Sequence, residues 1–241
     1  MLTTLATSFL TAYVVGRALK LDRNTTTLIG AGTAICGGSA IAAVAPVIGA
    51  KDKEVAFSIS TIFLFNIAAV FIFPAMGHYL GFSDMGFGMW AGTAINDTSS
   101  VVAAGYSYSA AAGDYATIVK LTRALMIVPV CVLLALVSMR QSACSEERLC
   151  IGTIVAVFPS FILWFVVASV VNTMQILPQS SSAFLGAGGK FCIVLAMSAI
   201  GLNTNLRHLV RNGVRPILLG LACWIAVASV SLIVQHQIGL I

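Results

Sequence analysis

The tetrapeptide Gly-Thr-Ala-Ile occurs twice inside apolar surroundings, at Gly32–Ile35 and at Gly92–Ile95. Each copy runs through three variable positions to a serine, Ser39 or Ser99, and then into a small apolar run ending at Ala43 or Ala103. In the first copy Gly30, Gly32, Gly37 and Gly38 crowd the chain, with Pro46 near its end. In the second, Asn96-Asp97-Thr98-Ser99-Ser100 sets five polar residues into an otherwise apolar stretch. Backbone groups in hydrocarbon must be paired internally, so a helix interruption there survives only against protein or a water-filled cavity. Two such interruptions at one constant offset point to an internal duplication that builds a transport site.

Composition sets the solvent. Hydrophobic residues make up 59% of the 241-residue chain and charged residues only 9%, with a mean hydropathy of +1.00. A soluble domain carries about 25% charged residues. The expected fold is an all-α integral membrane protein, a polytopic bundle of about eight hydrophobic segments with two discontinuous or re-entrant helices forming the repeat. A crossing needs roughly 20 apolar residues, and the candidate segments run at about 2–19, 26–48, 55–77, 87–106, 115–139, 150–171, 184–203 and 214–235. They form one transporter-like domain over 1–241, with repeat units at roughly 26–85 and 86–145. The lipid bilayer is the principal partner. A net charge of +5 is no nucleic-acid signature.

Basic residues cluster after the first segment (Arg17, Lys20, Arg23) and after the seventh (Arg207, Arg211, Arg215), whereas 172–183 carries no charge. By the positive-inside rule both basic connections face the cytoplasm. Parity permits this whether the repeat segments span or re-enter. Re-entry would place Lys51 and Lys53 inside as well and would make the two copies inverted. The first segment lacks a basic n-region, so it is not read as a signal peptide. Gly88-xxx-Gly92 permits a homodimer and equally permits internal helix packing.

The polar residues of the two gaps are the candidate substrate ligands: Cys36, Gly37, Gly38 and Ser39 in the first, Asn96, Thr98, Ser99 and Ser100 in the second. Half-helices starting there would aim unpaired N–H groups and positive dipole ends at the breaks, which suits a small inorganic or organic anion. Close packing through small residues is the competing reading. Asp97 is the candidate proton-coupling group, because a carboxylate at membrane depth is costly unless it is protonated or paired. Its alternatives are pairing with Lys120 or Arg123, or a purely structural helix cap. Lys120 and Arg123 lie three apart, hence on one helix face, and either help bind the anion or snorkel to an interface. Asn66 reads more readily as packing glue than as a ligand.

Six cysteines show no CxxC pair or metal spacing, and three histidines lie far apart, so neither metal nor cofactor is expected. Gly186-Ala-Gly-Gly-Lys190 has the wrong spacing for a phosphate loop and carries Phe191 where Ser or Thr is required. No GxSxG or HExxH occurs, which leaves hydrolase chemistry without support and the chain read as a non-enzyme.

Ile29–Ala43, Ala91–Ile95, Val101–Gly105, Lys120-Leu-Thr-Arg123, Pro129, Leu177-Pro-Gln179 and Ala199–Leu202 together resemble the YeiH-type family, also called UPF0324. The family's label is sulfate export. The resemblance implies a bacterial or archaeal inner-membrane protein, with an architecture akin to the bile-acid/sodium symporters and cation–proton antiporters. It also implies additional hydrophobic segments before Met1, and a His-Glu pair where this chain has Asn96-Asp97. The combined expectation is a secondary carrier of a small anion, sulfate or an organosulfonate, coupled to protons through Asp97. A non-transporting sensor or truncated relic, and an anion channel, are the alternatives.

Overall fold

The computed structural model describes residues 1–141 and 214–240, with scattered positions between residues 167 and 195. The segments expected at about 150–171 and 184–203, Cys144 and Cys150, and Arg207 and Arg211 fall largely or wholly outside the described residues. Among those residues the protein is helical with no strand. The helices are α1 (Leu2–Ala18), α2 (Arg23–Ala34), α3 (Gly38–Val47), α4 (Asp52–Leu80), α5 (Asp84–Ala94), α6 (Thr98–Tyr108), α7 (Ala110–Ala124), α8 (Ile127–Gln141) and α9 (Val214–Ile238).

Among the described residues three stretches are long and apolar enough to cross a membrane: α4, the near-continuous Ala110–Leu134 of α7 and α8, and α9. The segments expected at 26–48 and 87–106 are each divided into two short helices, α2–α3 and α5–α6. The first break lies at 35–37 and the second at 95–97, immediately after the repeated tetrapeptide. Glycine and polar residues occur there because a continuous helix would bury the polar side chains in hydrocarbon.

Each pair folds back on itself. Beyond α6, Ser109 Oγ donates to Asp84 Oδ1 at 2.6 Å, and Tyr108 Oη donates to Phe82 O at 2.5 Å. The Tyr108 ring also stacks on Phe87 with centroids 4.0 Å apart. The end of α6 therefore lies beside the start of α5. In the first pair, Asn24 at the start of α2 donates to Glu54 Oε2 at 3.0 Å, just beyond the end of α3. The pairs open at opposite ends of α4, one beside Glu54 and the other beside Phe82.

Helix α7 seats the second pair. A methyl group on Gly88 would lie 2.6 Å from Tyr115 Cβ, and one on Gly92 2.7 Å from Val119 Cγ1. One on Gly105 would lie 2.8 Å from Gly113 Cα. Such contact leaves no room for a Cβ, so the Gly88-xxx-Gly92 face is occupied within the chain rather than offered to a second copy. Helix α9 closes the other side. Trp224 lies against Phe65 and Phe73, Phe73 stacks on Trp90 at 4.1 Å, and Trp90 Nε1 donates to Ala228 O at 3.2 Å. Thr93 Oγ1 and Ser231 Oγ share a 2.6 Å hydrogen bond. The first pair packs on α1, where Ser8 Oγ donates to Gly30 O at 2.8 Å.

Candidate functional site

The tips of the two pairs meet beneath α7, at Lys120 and Arg123. Lys120 Nζ donates to Ile35 O at 2.7 Å and to Ile95 O at 3.0 Å, so one ammonium bridges both breaks. Arg123 donates from Nε to Ala34 O at 2.6 Å, from Nη1 to Thr93 O at 2.6 Å, and from Nη2 to Thr33 O. The last carbonyls of a helix have no partner within it and carry its negative dipole end. Two cations set against two such ends satisfy both needs. Lys120 is 0% exposed and Arg123 2%, so neither reaches an interface as a snorkelling side chain would.

The outgoing halves start differently. Gly37 holds φ +68°, a left-handed conformation, and as the N-cap of α3 has no side chain with which to cap it. Helix α6 is capped by Asp97, whose Oδ2 accepts from Ser99 N at 3.0 Å and also from Ser99 Oγ. The carboxylate thus turns to its own first turn, while the nitrogens of Lys120 and Arg123 turn to carbonyls. Cys36 is buried beside Ser39, Gly38 is half-buried and Ser39 is exposed. In the second break Asn96 and Ser100 are buried, and Asp97, Thr98 and Ser99 half-buried. All the candidate residues belong to the two tips or to the α7 face against them.

Asn66, in the middle of α4, joins this group. Its Oδ1 accepts from Asp97 N at 3.3 Å, and its Nδ2 lies 3.7 Å from the Cβ position of Gly37. Read as packing glue from its sequence context, it in fact lies between the two breaks. An amide at the centre of a long apolar helix was the signal for it. Buried polar atoms without a hydrogen-bond partner gather here: Asn66 Nδ2, Asn96 Nδ2 and Oδ1, and Thr33 Oγ1. Each such atom costs about 1–3 kcal/mol unless something pairs with it. Among the described residues no three His, Cys, Asp or Glu side chains converge as a metal cage.

Broken helices held tip to tip by buried cations, among helices apolar enough to cross a bilayer, define an all-helical membrane protein. A family model described as conserved hypothetical protein 698 matches residues 1–220, and the chain belongs to that family, UPF0324. It is 47% identical to a UPF0324 membrane protein of Streptococcus agalactiae over 243 residues, 98% of this chain and 71% of that one. A UPF0324 membrane protein of Clostridium tetani is 42% identical over 252 residues, covering 99% of this chain and 72% of its own length. One from Streptococcus mutans is 46% identical over 245 residues, covering 98% and 72%. No solved structure matches the chain.

Proposed function

We propose that the crossing of the two broken helices is the transport site of a secondary carrier for a small anion, with sulfate or an organosulfonate as the substrate class. The observation that carries this reading is the meeting of both tips under the buried Lys120–Arg123 pair. Two cations face one carboxylate there, and their nitrogens remain bound to carbonyls, so they supply positive potential rather than direct ligands. Cys36, Gly37, Gly38 and Ser39 offer the uncapped N-terminal donors of α3, and Asn96, Thr98, Ser99 and Ser100 line the opposite tip. Asp97 couples protons, exchanging its cap to Ser99 for a proton when the anion is bound. In the membrane α2–α3 and α5–α6 are re-entrant hairpins that dip in from opposite faces, within a multi-pass bundle of the inner membrane. The side-by-side hairpin ends support this, as does Lys51 lying on the side of Arg17, Lys20 and Arg23.

The test is uptake of labelled sulfate into proteoliposomes preloaded with unlabelled sulfate, with and without a pH gradient. Saturable uptake that responds to the gradient is expected. Uptake that never saturates would identify a channel, and none by well-folded protein would remove sulfate as the substrate.

A further inference from the structure

Resting on the crossing as a transport site, a narrower statement about its ligand follows from the amides. We infer that the buried side chains of Asn66 and Asn96 form the inner end of the anion site, and that they select an anion carrying its own O–H or N–H group.

Asn66 is 2% exposed and Asn96 1%. Asn66 Nδ2 has no acceptor although it lies beside Gly37, at the start of α3. Its Oδ1 is spent on Asp97 N, which fixes the amide plane and leaves the donor end toward the first break. Asn96, in the second break, has neither Oδ1 nor Nδ2 paired. Exchanging the oxygen and nitrogen of that amide changes nothing: it needs one donor and one acceptor in either orientation. An oxyanion without hydrogen satisfies Nδ2 of both residues and leaves the Asn96 oxygen orphaned beside a negative ligand. An anion with a hydroxyl or amino hydrogen pairs with both kinds of group at once. Sites that bury an acceptor for a ligand hydrogen reject the analogue lacking it.

Inorganic sulfate and inorganic phosphate provide the contrast near pH 7.5, being tetrahedral oxyanions of similar size and charge of which only phosphate carries a hydrogen. Binding to the purified full chain is measured by titration calorimetry, and exchange in proteoliposomes, for the native protein and for Asn66→Ala, Asn66→Asp and Asn96→Ala. The native protein should bind phosphate about 10-fold or more tighter than sulfate. Asn96→Ala should bring the two anions to within about 3-fold of each other, whereas Asn66→Ala should weaken both by about 10-fold alike. Asn66→Asp keeps an acceptor for Asp97 N and replaces the donor with a negative group, so it should bind both anions more weakly than Asn66→Ala does. It should also melt at a lower temperature, its carboxylate being buried beside Asp97. Equal or tighter binding of sulfate by the native protein, unchanged in the Asn variants, would overturn the inference and leave the carrier. Binding of neither anion by folded native protein would overturn the carrier reading and the inference with it.

Discussion

The two tips share the Gly-Thr-Ala-Ile tetrapeptide yet differ immediately after it. On the incoming side the carbonyls of Thr33, Ala34 and Ile35 in one copy, and of Thr93 and Ile95 in the other, all accept from the same two cations. The outgoing side has no common partner. Gly37 takes φ +68° with no side-chain cap, whereas Asp97, at the equivalent place in the repeat, takes φ −97° and caps α6. Even Thr33 and Thr93 diverge, since Thr93 Oγ1 meets Ser231 on α9 and Thr33 Oγ1 meets nothing. The duplicated letters therefore mark where the chain is held, and the unlike letters mark where the two halves have separate tasks.

Removing the shared holder should do the most damage. Arg123→Leu strips bonds from carbonyls of both tips at once, and several unsatisfied buried acceptors together should cost at least about 3 kcal/mol. A large drop in thermal unfolding temperature in detergent, with loss of monodisperse protein, is the expected result. Arg123→Lys should recover part of the loss, because an ammonium cannot reproduce the guanidinium fork.

The next largest effect separates the outgoing halves. Gly37→Asp, which copies the second break into the first, should destabilise by about 1–3 kcal/mol, because a side chain is strained at that φ. Gly38→Ala should cost under about 1 kcal/mol, since its Cβ would meet only Phe63 Cζ at 3.6 Å. Chemical denaturation of both variants checks the ordering.

Asp97→Asn keeps a side chain able to cap α6, so its stability should stay within about 1 kcal/mol of the native protein. Its uptake should lose all response to a pH gradient. The pair Ser39→Ala and Ser99→Ala should raise the apparent KM several-fold, by roughly one neutral hydrogen bond. An unaltered pH response or KM would remove those groups from the mechanism.

The smallest effect lies outside the crossing, at the cap of α2. Burial raises the Asp22 carboxyl, but hydrogen bonds from Thr25 and the nearby Lys51 charge more than offset it, leaving it below its ordinary value. A carboxyl lower in the folded than in the unfolded state contributes stability above its unfolded value of about 3.9, lost as pH falls through the folded value. Asp22→Ala should cost about 1 kcal/mol at neutral pH and progressively less in acid, read from melting temperature against pH.

Much of this was legible in the sequence. Composition alone demanded lipid-facing helices, and Asn96–Ser100 could not lie along a continuous one. The breaks fell where the repeat placed them, because glycine and capping residues determine local backbone. What the letters could not show was the partner of each polar group. Lys120 and Arg123 read as anion-binding or snorkelling side chains, and their bonds to the tips were not legible because carbonyl oxygens are invisible in a sequence, every residue having one. Asn66 read as glue because its position between Asp97 N and Gly37 depends on how α4 packs. Gly88 and Gly92 left internal and external packing equally open until α7 filled their face.

The arrangement also fixes an order in time. The ammonium that satisfies Ile35 O belongs to a residue 85 positions further along the chain. A ribosome adding about 5–20 residues per second reaches that residue only after several seconds. For that interval the carbonyls of Thr33, Ala34 and Ile35 have neither Lys120 nor Arg123 beside them. Nascent chains halted before Lys120 should therefore remain shielded by an insertase or be taken by a membrane protease, whereas chains halted far enough beyond Arg123 to carry it out of the ribosome should be spared.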